Sequence, residues 1–333
     1  MNVLLTGGTG YVASHTAVAL SNEGHKVILY DNLSNSNIAV ASKLKNLANR
    51  KIKFVKGDIR DGRLLFRMLK RNKIEAVMHF AGLKSVAESV EQPLDYFDNN
   101  VLGTITLLRS MHEAGVRILV FSSSATVYGD PKYLPIDERH PLSAVNPYGR
   151  TKLHIEELLQ DVVAANTDWR VICLRYFNPV GSHHSGLIGE DPLGPPNNLM
   201  PYMVQVAAGR LPYLRIFGND YSTADGTGVR DYVHVMDLAE GHSAGLKFLE
   251  EKEGFHAINL GTGKGHSVLE LVRVFEEATG RDIPRKVVER RFGDVAESYA
   301  SIEKAGSELG WRAKRSLLEM CSSAWLFQKD KVV

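Results

Sequence analysis

Tyr148 and Lys152 stand four residues apart in a Tyr-x-x-x-Lys spacing, which on a helix sets a phenol and an ammonium on one face. A free phenol titrates near pH 10 and is a poor base at neutral pH. A neighbouring positive charge favours its ionised form and makes it a usable proton shuttle. Asn146 can cap such a helix and Pro147 can take its first position, so that Tyr148 falls in the first turn. Tyrosine and lysine at this spacing arise by chance in many helices. The pair gains weight from Ser124, which closes the apolar run beginning at Ile118. At the carboxyl edge of a strand its hydroxyl can bond both a phenol and a substrate oxygen.

A second group lies at the start of the chain. Gly7-Gly8-Thr9-Gly10-Tyr11-Val12-Ala13 follows the apolar run Val3–Leu5 and opens a helical pattern. Read as Gly8-x-Gly10-x-x-Ala13, it fits a dinucleotide fingerprint, whose glycines let backbone approach a pyrophosphate at a helix N-terminus. Ala13 takes the place usual for a third glycine, which governs helix packing rather than phosphate approach. The next apolar run ends in Tyr30-Asp31, about 20 residues on, where a carboxylate would bond a ribose 2′-OH and repel a 2′-phosphate. That favours NAD over NADP. The alternative is that Asp31 caps the loop Asn32–Asn37. His183-His184 has no third ligand at plausible spacing and reads as polar loop, so no metal is expected.

Positioning these groups requires a covered parallel sheet. Short apolar runs at Val3–Leu5, Lys26–Tyr30, Ile52–Val55, Ala76–Phe80, Ile118–Ser122 and Val171–Tyr176 do not alternate with polar residues, as expected of strands buried on both faces. Helical patterns span Tyr11–Asn22, Gly62–Arg71, Tyr96–Ala114 and Tyr148–Ala165. Beyond residue 178 the segments Gly181–Asn198 and Gly218–Gly228 are dense in turn residues. Helical patterns return at Val235–Glu251 and Val268–Thr279, with a strand at Ala257–Leu260 between them. The expected architecture is α/β: a doubly wound Rossmann sheet from residues 1–177 plus about 235–260, and a smaller α/β lobe from about 178–234 plus 261–333.

Lys and Arg total 40 against 38 Asp and Glu, too even to suggest a nucleic-acid or membrane-surface partner. No segment has the length of a membrane span or the form of a signal peptide. The two cysteines, Cys173 and Cys321, read as free thiols and suit a reducing cytoplasm.

Met1–Gly10, Asp31–Ser36, His79–Lys84, Ser122–Gly129, Tyr148 with Lys152, Arg175–Pro179, Pro196–Pro201 and Gly226–His234 together resemble the UDP-glucose 4-epimerases of the extended short-chain dehydrogenase/reductases. The likeness runs nearly end to end. It implies NAD lined by Gly7, Gly10, Tyr11, Val12, Asp31, Asn32, Leu33, Asn35, Ser36, Asp58, Ile59, Phe80, Ala81, Gly82, Lys84, Asn99, Tyr148, Lys152, Tyr176 and Phe177, with Asp58 toward the adenine. It implies a UDP-hexose held by Lys84, Ser124, Ala125, Thr126, Tyr148, Asn178, Asn198, Leu199, Arg230, Arg291, Asp294 and Ser298. Catalysis would fall to Ser124, Tyr148 and Lys152, and the protein would be a homodimer built on the helices around Tyr96–Ala114 and Tyr148–Ala165.

Two other readings start from the same residues. A nucleotide-sugar 4,6-dehydratase or decarboxylase would carry carboxylates just after the active-site hydroxyl, where Ala125 and Thr126 stand. A catalytically silent NAD sensor would be expected to lose the Tyr/Lys pair. Ser298 falls where family members confined to UDP-glucose and UDP-galactose resemble one another in a bulky tyrosine. A small residue there implies room for N-acetylhexosamines, unless a one-residue slip brings Tyr299 into the gap.

Overall fold

The structure is a computed structural model and describes residues 1–48, 50–192, 196, 198–291 and 293–329. Leu193, Gly194, Pro195 and Asn197 of the expected turn-rich segment and resemblance blocks lie outside the described residues.

The chain opens with β1 (Asn2–Thr6), α1 (Tyr11–Asn22), β2 (Lys26–Asp31), α2 (Ala39–Leu47), β3 (Lys53–Lys56), α3 (Gly62–Arg71) and β4 (Ala76–His79). Two short helices, α4 (Val86–Glu91) and α5 (Pro93–Tyr96), lead through a π-helical turn, Phe97–Leu102, into α6 (Gly103–Ala114). Then come β5 (Ile118–Ser124), α7 (Pro147–Ala165) and β6 (Arg170–Tyr176). The second half contributes β7 (Asn178–Val180), α8 (Leu199–Ala207), β8 (Leu214–Phe217), β9 (Val229–Arg230), β10 (Tyr232–His234), α9 (Val235–Glu251) and β11 (Gly254–Leu260). It ends with β12 (His266–Ser267), α10 (Val268–Thr279), β13 (Arg285–Val288), β14 (Glu297–Ser298), α11 (Glu303–Leu309) and α12 (Leu317–Lys329).

Seven strands form one parallel sheet in the order β11-β6-β5-β4-β1-β2-β3. Both faces are covered, which is why its strands show no polar alternation. Leu5, Leu29 and Met78 face α1 and α9 with Ala17, Leu20 and Leu238, while Leu4, Ile28 and Phe121 face α3, α6 and α7 with Leu65, Leu107 and Ile155. Full burial of each such side chain contributes roughly 1.5–3 kcal/mol. The chain runs from β1 outward to β3, then crosses to β4 on the other side of β1. That reversal opens a crevice above the carboxyl ends of β1 and β4, where open α/β sheets bind ligands.

A smaller lobe sits beyond those ends. It is built from the pairs β7–β10 and β8–β13 and the three-stranded sheet β12-β9-β14, packed against α8, α10 and α12 around Met203, Ile216, Leu271, Phe275 and Met320. The helix expected over Tyr96–Ala114 starts earlier, at Pro93, and is widened by the π turn. Asn100 within that turn explains the departure. Its Oδ1 accepts from Leu83 N at 2.8 Å, and its Nδ2 donates to Leu83 O at 3.0 Å and to Thr151 Oγ1 at 3.1 Å, so it pins the loop after β4 to α7. Among the described residues no helix is long and apolar enough to cross a membrane.

Candidate active site

The glycine-rich turn joins β1 to α1 with Gly7 at φ 64°. A Cβ there would meet Ala81 N at 2.7 Å, so only glycine lets the turn pass beneath the loop after β4. Gly10 caps α1 without a side-chain hydrogen bond, leaving the first N–H groups of the helix directed at the crevice. Tyr11 and Val12 begin that helix, and the Tyr11 hydroxyl donates to Gly181 O at 2.6 Å.

Asp31 ends β2 beside this turn. Its carboxylate accepts from Thr9 N at 3.0 Å, Leu33 N at 2.8 Å and Ser36 Oγ at 3.1 Å. It therefore does cap the following loop, in which Leu33 takes φ 64° and Asn35 is exposed. An ionised carboxylate can accept about four hydrogen bonds, so acceptor capacity remains for a ligand. Asn32 donates from Nδ2 to Asp58 Oδ2 at 3.0 Å, bringing β2 and β3 loops together at the same edge. Hydrogen bonds from Arg60 hold the Asp58 carboxyl well below the usual range. Ile59 is buried, and a Cβ on Gly103 would strike it. Phe80 packs its ring 4.8 Å from His242, with Ala81 and Gly82 following at the crevice. Asn99 lies in the π turn and donates to Asn100 Oδ1 at 2.9 Å.

The next sheet edge carries the reactive side chains. The Asn146 side chain accepts from Gly149 N at 2.8 Å and Pro147 opens α7, so Tyr148 stands in its first turn. Lys152 is 5% exposed, donates to Ser122 O at 2.7 Å and lies 6.0 Å from the Tyr148 ring centre. The Ser124 hydroxyl accepts from Thr126 Oγ1 at 3.0 Å at the end of β5, with Ala125 between them. Tyr176 Oη meets Ser122 Oγ at 2.5 Å, and Phe177 is buried one residue on.

The electrostatics differ from the expectation that Lys152 would ease ionisation of the phenol. Burial raises Tyr148 far above the ordinary phenol value, with Tyr176 adding and Ser124 opposing. Burial also lowers Lys152 to about 8, against raising contributions from Cys173 and Glu156. Desolvation is the leading cause of both shifts.

Across the crevice, Arg230 and Ser298 are cross-strand neighbours in β9 and β14 and so point to the same side. Tyr299 points to the other, where a Cβ on Gly265 would lie 3.1 Å from its Cδ1. Arg291 Nε donates to Asp294 Oδ2 at 2.9 Å, and its guanidinium lies 4.6 Å from the Phe217 ring centre. Asn198, exposed before Leu199 at the start of α8, donates to Glu190 Oε1 at 2.9 Å, and Lys84 Nζ donates to the same oxygen at 2.8 Å. Asn178, exposed, opens β7. His183 and His184 stack at 4.1 Å, with His183 Nδ1 on Ser185 Oγ at 2.8 Å.

This geometry agrees with what the chain is similar to. The profile of the family described as GDP-mannose 4,6 dehydratase matches residues 4–324. The UDP-glucose 4-epimerase of Bacillus subtilis (strain 168) is 52% identical over 332 residues, covering 100% of this chain and 98% of that one. The chain belongs to the UDP-glucose 4-epimerase family. A crystal structure of a family member from Stenotrophomonas maltophila, with bound NAD and formylated UDP-arabinopyranose, matches with a TM-score of 0.97 and 50% identity over 99% of this chain and 98% of that one. A second, the Bifidobacterium longum UDP-glucose 4-epimerase in complex with NAD+ and UDP, matches with a TM-score of 0.96 and 47% identity over the same shares. The epimerase resemblance and the Rossmann architecture expected from the sequence are both borne out.

Several structured groups around the candidate site carry no local sequence signal. Asp231 is fully buried and accepts from Thr262 N, Thr262 Oγ1, Gly263 N and Ala300 N, tying β9, β11 and β14 together behind Arg230. It stands inside a quoted sequence block, yet its partners lie far along the chain. Phe217, Asn100 and Glu190 had no local signal beyond their residue types.

Proposed function

We propose that the protein interconverts UDP-glucose and UDP-galactose by NAD-dependent oxidation and reduction at the sugar C4. The observation that carries this is the convergence of Tyr148, Lys152 and Ser124 on one sheet edge beside the glycine-rich turn. The residues present fit NAD: an α1 N-terminus whose cap makes no side-chain bond, an acidic residue with acceptor capacity at the end of β2, and the half-buried ring of Phe80. Those groups would receive pyrophosphate, ribose and nicotinamide in turn. Held by these residues, NAD would supply reversible hydride chemistry at the sugar C4.

The chain's own residues handle the proton and the grip. Tyr148 Oη would hold and move the proton of the sugar O4, with Ser124 orienting the same oxygen. Lys152, fixed on Ser122 O, supplies the standing positive charge beside it. Arg230 and Arg291 would clamp the diphosphate through forked hydrogen bonds. Asp294 suits the ribose hydroxyls, and Phe217 offers a face for the base. Ala125 and Thr126, where a dehydratase would carry acids, support epimerisation over dehydration. Retention of both Tyr148 and Lys152 counts against a silent NAD sensor.

Room beside C2 of the sugar is the finer part of the reading. Ser298 shares its side with Arg230 while the Tyr299 ring lies against Gly265, which supports acceptance of UDP-GlcNAc and UDP-GalNAc as well. The division into an NAD-binding sheet domain and a UDP-sugar lobe belongs to the same reading, as does a homodimer. Exposed Val90, Leu94 and Leu102 on α4, α5 and the π turn support a second copy there. Two buried free thiols suit a cytoplasmic setting.

Following the epimer ratio by NMR with purified protein and UDP-glucose tests the proposal. Growth of UDP-galactose to a fixed ratio without added reductant supports it; an unchanged spectrum with NAD present sinks it.

A further inference from the structure

One turn beyond Lys152 on α7, Glu156 is fully buried against Arg175 of β6. Arg175 donates from Nη2 to Glu156 Oε2 at 2.6 Å and from Nε to both carboxylate oxygens at 3.1 Å. Ser123 donates to Oε1. The pair continues outward: Arg175 Nη1 donates to Tyr128 Oη at 3.0 Å, and that hydroxyl donates to Asn259 Oδ1 on β11 at 2.6 Å. Asn259 Nδ2 donates to Ile136 O at 3.0 Å, and Ile136 N to Tyr299 O at 2.9 Å, beside Ser298.

The proposed proton transfer and substrate grip engage none of these groups. Stability alone is a weak reason for them, since a buried ion pair can often be replaced by apolar residues without loss. The three successive serines of β5 suggest another. Ser122 O holds Lys152, Ser123 holds Glu156, and Ser124 stands by Tyr148. The strand thus fixes the first three turns of α7 in register with its own carboxyl edge.

We propose that Glu156 and Arg175 are positioning residues for Lys152, a net-neutral pair that anchors α7 to β5 and β6 and sets both the place and the charge of its ammonium. The proposal rests on the epimerase reading for Lys152's role. The titratable groups that face that ammonium are Glu156 and the Tyr148 ring from α7, His79 from β4 and Cys173 from β6, while Arg175 of β6 meets Lys152 only through Glu156. Of these the Glu156 carboxyl, paired with the Arg175 guanidinium, favours charged Lys152. Arg175 cancels that charge toward the rest of the core.

The test is the pH profile of kcat for UDP-glucose, read by NMR between about pH 6 and 10, where an alkaline limb reports loss of the Lys152 proton. Glu156→Gln leaves the guanidinium uncompensated, disfavours a second positive charge, and moves that limb down by about one pH unit. Arg175→Met leaves the carboxylate uncompensated and moves it up. The neutral double variant returns it to within about 0.3 unit of the parent, with KM changed less than about threefold throughout. Opposite shifts that cancel in the double are the expected result. Equal losses of kcat and Tm with an unmoved limb mean ordinary packing and overturn the proposal. If one single variant does not fold, the other, set against the double, still reads the sign. Tyr148→Phe is run alongside: parental turnover there removes the catalytic reading itself, whereas its inactivity with unmoved limbs removes only the role given to Glu156 and Arg175.

Discussion

On the sheet side of the cleft, Tyr148, Lys152, Ser124 and Asp31 are each less than a tenth exposed, with Lys152 bonded to the backbone of β5 and Asp31 to the glycine-rich turn. On the lobe side, Arg291 is half exposed and bonded to Asp294, and Asn198 shares one oxygen of Glu190 with Lys84 from the loop after β4. The sheet-side groups are thus held by the fold, whereas Arg291 and Asn198 are held by neighbouring side chains. A ligand reaching the first set finds it already in place. One reaching the second must exchange side-chain partners, so its binding energy is partly spent on that exchange.

The contrast predicts how substitutions divide between kcat and KM. Tyr148→Phe removes the phenol from a fixed site and should lower kcat about a hundredfold or more with KM for UDP-glucose nearly unchanged. Steady-state kinetics showing the loss mainly in KM would erase the distinction between the two sides. Ser298→Tyr should cut kcat/KM for UDP-GlcNAc by at least about tenfold and leave UDP-glucose within about threefold. Equal values for the two substrates in both proteins would mean that Ser298 does not gate the pocket. Arg291→Ala should raise KM about fivefold to tenfold at near-parental kcat if Arg291 makes the forked contact to the diphosphate proposed above. A kcat effect larger than the KM effect would move Arg291 to the preorganised side.

The smallest effect is on stability. Lys152 sits at about 8, below the ordinary 10.5 for lysine. The unfolded chain therefore binds the extra proton between those values, so the cost is fully present below about pH 8 and is relieved as pH rises toward about 10.5. Lys152→Met should stabilise the fold at pH 7 by on the order of 1–3 kcal/mol, a gain that fades above about pH 10. Thermal unfolding at the two pH values measures it, and a loss of Tm at pH 7 would show that the bond to Ser122 O outweighs desolvation.

The same contrast governs what the sequence could disclose. β1, the glycine turn, α1 and Asp31 form one continuous stretch, and Asn146-Pro147-Tyr148 announces its own helix start, so the chemistry side could be read locally. The helices Gly62–Arg71, Val235–Glu251 and Val268–Thr279 have the expected bounds because apolar spacing persists along them. The lobe was harder. Its strands β9, β12 and β14 are two residues each and pair across long separations, with no periodicity to detect. Asp231 collects its donors from positions 262, 263 and 300, and the π turn around Asn100 differs from an α-turn by a single residue. Such features follow from tertiary pairing rather than from neighbours in the chain.

The seventh strand of the large sheet has one more implication. β11 pairs along its whole length with β6, yet β7, α8, β8, β9, β10 and α9 lie between them in the chain. A ribosome releasing this polypeptide has therefore emitted much of the smaller lobe before the larger one can close its last edge. Neither half can be finished by the time the other begins, and a gene cut after residue 177 would encode a sheet with β6 bare, inviting the intermolecular strand addition that unpaired edges promote.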